Sequence, residues 1–76
     1  MTSDKIREAC RSEPFRPFRL RLGGGRSLDV HHPEFVAVSP SGRTAAVYGN
    51  DDALEIIDTL MVQSIEFMNG RRRKAG

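Results

Sequence analysis

The sequence predicts a mainly β domain, a small five-stranded barrel with a short N-terminal helix. Apolar residues alternate with arginines over residues 18–22, and the alternation resumes at Leu28 and Val30 after three glycines. A period of two interrupted by glycine is typical of a β-hairpin with one buried face. Short apolar runs then recur as far as Phe67, separated by Pro, Gly, Asn and Asp. This spacing favours a barrel or a curled sheet.

A short helix is predicted over residues 3–12. Ser3 or Thr2 can serve as the N-cap, and a proline two residues after the segment prevents its continuation. Ile6, Ala9 and Cys10 recur at helical spacing. We therefore expect one narrow apolar stripe that docks on the strands.

Five strands should follow the helix. They are predicted at residues 18–22, 27–39, 44–48, 54–57 and 61–67. The second strand should bend at Pro33, because proline donates no ladder hydrogen bond. The core is expected to contain the inward-facing side chains of Phe18, Leu20, Leu22, Leu28, Val30, Ile56, Val62 and Ile65. We predict one domain over residues 1–70 and a basic disordered tail over residues 71–76.

A chain of 76 residues is short for a self-sufficient core, since a domain of about 60 residues buries only ~60% of its unfolded surface. Its single cysteine, Cys10, allows no internal disulfide and is typical of a reducing, cytoplasmic setting. No apolar run approaches the roughly 18 residues of a membrane span. Self-association, as a dimer or a ring, is therefore the expected source of additional stability.

The segment Ile56-Ile57-Asp58-Thr59-Leu60-Met61-Val62 places two apolar residues before a three-residue turn and a further strand. This pattern resembles the second Sm motif of the bacterial Hfq proteins. The resemblance implies an Sm-like, SH3-like barrel in which strand four of one copy pairs with strand five of the next. In Hfq the turn carries a lysine and a histidine that contact RNA, whereas the turn here offers no cation.

Three further segments carry a second resemblance: Pro14-Phe15-Arg16-Pro17-Phe18, His32-Pro33-Glu34-Phe35 and Ile56-Ile57-Asp58. Together they are similar to a group of short bacterial proteins, and this resemblance implies no activity.

The cationic residues raise a nucleic-acid hypothesis. No acid interrupts the arginines between Pro14 and Leu28, and a second cationic run ends the chain. The candidate nucleic-acid contacts are Arg19, Arg21, Arg71, Arg72, Arg73 and Lys74. However, residues 1–70 carry eight basic and ten acidic side chains, whereas nucleic-acid-binding folds usually show a basic face. We therefore favour cross-strand pairing, in which Glu66 meets Arg19 or Arg21.

Other chemistry receives little support. His31, His32 and Glu34 invite a zinc interpretation, but adjacent strand residues point to opposite faces, and zinc requires three or four ligands. No catalytic set is recognisable, so we expect no enzyme activity and no cofactor.

The favoured hypothesis is a non-enzymatic, self-associating interaction module that contacts its own copies or another protein. Leu60, Met61 and Val62 are consecutive apolar residues, so one of the two strand faces would need a partner. The alternative is weak, sequence-nonspecific binding of RNA or DNA through the first-strand arginines and the tail.

Overall fold

The computed structural model describes residues 3–49 and 51–68. The described part is mainly β, with one helix and two three-stranded antiparallel sheets. Its elements are α1 (Ser3–Arg11), β1 (Phe18–Leu22), β2 (Ser27–Val30), β3 (Val36–Val38), β4 (Thr44–Tyr48), β5 (Leu54–Asp58) and β6 (Val62–Phe67). The first sheet has the order β2-β1-β6 and the second β3-β4-β5. The predicted tail at residues 71–76 lies outside the described residues.

The prediction of a closed five-stranded barrel is wrong, because the strand expected at residues 27–39 is two strands in different sheets. A 3-10 turn at Pro33–Phe35 separates β2 from β3, and the Phe35 amide donates to the His32 carbonyl over 3.1 Å. The last pair of the β1–β2 ladder is Phe18–Val30, and the ladder does not continue through Pro33, because proline has no backbone donor and a fixed φ. The expected corner at Pro33 is confirmed, but it breaks the strand.

The β1–β2 hairpin follows the predicted alternation. Leu20 lies opposite Leu28, and Phe18 lies opposite Val30. The glycine turn between the strands places Gly24 and Gly25 at φ values of 77° and 78°, a region that side chains with a Cβ rarely enter. The strand pair therefore presents one apolar face to the core and the arginines to the other side.

Most of the predicted core is confirmed. The buried apolar residues are Ile6, Ala9, Phe18, Leu20, Leu22, Val30, Ala45, Val47, Ile57 and Val62. Leu28 and Ile65 are partly buried against this cluster. Ile56, in contrast, is 65% exposed, whereas Ile57 is 6% exposed. The prediction for Ile56 is wrong because the β4–β5 register places Ile57 opposite the buried Ala45.

The helix docks through its expected stripe. Ile6 and Ala9 are buried, and Cys10 packs against the same cluster. The Arg7 guanidinium donates to the Ser39 carbonyl over 2.9 Å, which ties α1 to the end of β3. No helix in residues 3–49 and 51–68 is long and apolar enough to cross a membrane.

Candidate interaction site

The arginines of the first sheet have local partners. Arg19 Nε donates to Asp29 over 2.7 Å, and Arg21 Nε donates to Glu66 over 3.0 Å. The guanidinium of Arg16 lies 4.5 Å from the centre of the Phe67 ring. The predicted cross-strand pair with Glu66 is confirmed, and its partner is Arg21.

Asp29 is a partner that the sequence interpretation missed. The hydrogen bond from Arg19 holds the pKa of the Asp29 carboxyl below its usual value, against the opposing effect of burial. The same hydrogen bond raises the pKa of Arg19. The signal was present in the sequence, because a hairpin centred on the three glycines places residue 19 opposite residue 29.

A further ion pair joins the two sheets. Arg26 follows the glycine turn of the first sheet and pairs with Glu55 on β5 of the second. Asp51 and Asp58 accept backbone hydrogen bonds from Ala53 and Leu60 within their own turns. Glu55 therefore pairs with an arginine, while Asp51 and Asp58 close turns.

A groove separates β2 from the β4–β5 hairpin. It has a volume of about 560 Å³ and is lined on one side by residues of β2 and on the other by the hairpin. Tyr48 and Leu54 supply apolar surface on the hairpin side, while the Arg19–Asp29 pair and His31 lie on the β2 side. The groove thus combines a sheet edge with apolar surface and paired charges.

The second sheet also has an apolar side that faces away from the core. We call it the outer apolar face: Ala37, Ala46, Tyr48, Leu54 and Ile56. Tyr48, Leu54 and Ile56 are exposed large side chains. The sequence interpretation missed this face because it assigned Ile56, and not Ile57, to the core.

The predicted self-association residues divide into two kinds. Leu60 and Met61 lie in a 3-10 turn at Thr59–Met61 and are 72% and 49% exposed. Val62 begins β6 and is 1% exposed, so it belongs to the core of this chain. Of these three residues, Leu60 and Met61 are therefore available at the surface for another molecule, and Val62 is not.

The two histidines of the candidate metal site have different surroundings. The His32 ring packs edge-on against Phe35 with centroids 4.9 Å apart, while His31 lines the groove.

Burial raises the pKa of the Cys10 thiol, with Arg11 acting in the opposite direction. Among residues 3–49 and 51–68 no group of three or more His, Cys, Asp or Glu side chains is arranged to hold a metal ion.

The remaining candidate nucleic-acid contacts lie outside the described residues: Arg71, Arg72, Arg73 and Lys74.

No family model, curated protein or solved structure matches this chain. The resemblance to Sm-like barrels therefore stays a prediction.

Proposed function

We propose that this protein is a non-enzymatic interaction module that associates with copies of itself. The observation that carries the proposal is the outer apolar face, together with the exposed Leu60 and Met61 in the turn that follows β5. Contiguous apolar surface on a small domain usually marks an interaction site. A second copy is the occupant that this face fits.

The outer apolar face has a large side chain on β5 and a small one on β3 at the same level of the sheet. Ala37 on β3 lies opposite Ala46 on β4, and Ala46 lies opposite Ile56 on β5. A twofold axis parallel to β4 would stack two outer faces with β5 of one copy over β3 of the other. Ile56 would then lie over Ala37 of the second copy, whereas Tyr48 on β4 would lie next to Tyr48 of that copy. Such an isologous contact closes as a dimer.

The strand edges offer a second route that accords with the Sm-like resemblance. Within the described residues β5 pairs only with β4, and β6 pairs only with β1. Pairing of β5 in one copy with β6 in the next would protect both edges and would produce a ring if the rotation closes. Solution mass distinguishes this ring from the dimer.

The test is the molar mass measured by light scattering at roughly 50 μM, well above the dissociation constants of stable assemblies. We expect a mass of at least twice the 8.5 kDa of one chain. Ile56→Lys and Met61→Lys should each shift the mass towards one chain, because a charge in an apolar contact loses its hydration. A single-chain mass for the unmodified protein would contradict the proposal.

Glu34→Gln is the matched control. This substitution changes the net charge by the same amount as either lysine variant. Glu34 is exposed in the turn Pro33–Phe35 and belongs to neither β5 nor β6. We expect the control to keep the mass of the unmodified protein. Circular dichroism should show that all the variants remain folded, because each replaced side chain is exposed.

A further inference from the structure

The geometry points to a second binding site, at which the open edge of β2 takes up an extended peptide segment of another protein as an added strand. The site consists of the groove and the backbone of residues 27–31 that borders it. The groove shares Tyr48 and Leu54 with the outer apolar face, but it does not include Ile56, Leu60 or Met61.

The hairpin register leaves the outer backbone groups of β2 available. The Leu22 amide donates to the Arg26 carbonyl over 2.8 Å, which makes this a hydrogen-bonded pair. Because hydrogen-bonded pairs alternate along an antiparallel ladder, Leu28 and Val30 also bond to β1. The backbone groups of Ser27 and Asp29 therefore point away from β1. Within the described residues β2 is hydrogen-bonded to no strand other than β1.

The groove has the dimensions that an added strand requires. Residues 27–31 span roughly 13 Å at about 3.3 Å per residue, which matches a peptide segment of about five residues. The volume of about 560 Å³ lies within the ~300–1,000 Å³ of ordinary ligand sites. The Arg26–Glu55 ion pair links the two walls of the groove next to Ser27.

The lining specifies the chemistry of the peptide. Side chains that point towards the second sheet would meet Val47, Tyr48 and Leu54, so alternate positions of the peptide should be apolar. The intervening positions would face Ser27 and the Arg19–Asp29 pair, so they should be polar. Because the cations here are paired with acids, a peptide fits this lining better than a nucleic acid.

The chain's own basic segment does not meet this specification. Residues 69–76 read Asn-Gly-Arg-Arg-Arg-Lys-Ala-Gly and contain one small apolar side chain. They lack the alternation of apolar and polar residues that the groove requires. A segment of a different protein is therefore the occupant that the site fits.

The decisive variant is Ser27→Pro, which removes one outward backbone N–H. The preceding residue, Arg26, has φ −82° and ψ 155°, a conformation that a following proline accepts. Proline is tolerated on edge strands where the N–H faces solvent. Ser27→Ala is the matched control, because it removes the hydroxyl and keeps the N–H.

The probe is a pool of capped synthetic peptides of about eight residues, in which Val, Ile, Leu or Phe alternates with Ser, Thr, Lys or Glu. The immobilised full-length protein is exposed to the pool, and retained peptides are identified by mass spectrometry. We expect retention by the unmodified protein and by Ser27→Ala, and a loss of about tenfold or more with Ser27→Pro. Equal retention by all three proteins, or no retention by the unmodified one, would overturn the inference.

A second measurement needs no change in the protein. The best-retained peptide is synthesised in two forms, N-methylated at one or the other set of alternate residues. Only one set of peptide N–H groups faces β2 in an added strand. One form should therefore lose binding while the other keeps it, and equal behaviour of the two forms would overturn the inference. The solution mass of Ser27→Pro should match that of the unmodified protein, which separates this result from self-association.

Discussion

Ile56 and Ile57 are chemically identical neighbours with opposite environments. Side chains alternate between the two faces of a strand, so only one of the pair can face the core. Cross-strand pairing with Ala45 selects Ile57 for the core, whereas Ile56 joins the outer apolar face. The two positions therefore separate the contribution of apolar burial to folding from its contribution to association.

Alanine at each position tests this separation. Ile57→Ala should lower the free energy of unfolding by about 2–5 kcal/mol, because it leaves a cavity in the core. Ile56→Ala should change it by less than about 0.5 kcal/mol in dilute protein, where association does not contribute. Urea unfolding followed by circular dichroism measures both values. Equal losses would mean that β5 presents a different face to the core.

At the scale of elements, the sequence predicted the helix and the β1–β2 hairpin because the apolar residues of each recur with a single clear period. It also marked Pro33 as a corner. It could not show that β2 and β3 separate into different sheets, since strand pairing depends on contacts between distant segments. The outer apolar face escaped prediction for the same reason, because the orientation of β5 is determined by β4.

Thr59 shows how a turn residue joins two elements. The sequence placed it in the turn before the last strand, and the structure buries it to 3% exposure. Its hydroxyl donates to the Gly42 carbonyl over 2.7 Å, and its amide donates to the Arg43 carbonyl over 2.9 Å. Thr59 thus fixes the β5–β6 connection against the turn that precedes β4.

Replacement of this hydroxyl should be costly. Thr59→Val keeps the shape but leaves the Gly42 carbonyl without this donor, so we expect a loss of about 1–3 kcal/mol in the free energy of unfolding. Thr59→Ser keeps the hydroxyl and serves as the control, with a smaller expected loss. Chemical denaturation ranks the two variants. A valine variant at least as stable as the serine variant would show that the hydrogen bond contributes little.

At the scale of the whole molecule, charge is divided unevenly along the chain. Residues 1–70 carry two more acidic than basic side chains, whereas residues 71–74 are all basic. Arg19 and Arg21 are paired with Asp29 and Glu66, which reduces their availability to phosphates. Any affinity for nucleic acid should therefore depend mainly on the terminal cations.

Deletion of residues 70–76 tests this dependence. Binding to mixed RNA should weaken and its salt dependence should flatten, because fewer counterions are released. The circular-dichroism spectrum should be unchanged. Arg21→Gln is the control and should leave RNA binding nearly unaltered. A greater effect of Arg21→Gln than of the deletion would place the contact on the first sheet.

The pairing of β1 with β6 has a consequence for how the chain folds during synthesis. β1 is the central strand of the first sheet, yet one of its two neighbours begins about 40 residues later along the chain. While the ribosome is still making β6, one edge of β1 has no native partner. The buried faces of Phe18 and Leu20 can therefore be completed only after nearly the whole described chain has emerged. Closing so long a loop is entropically unfavourable, which makes completion of this sheet a late event in folding.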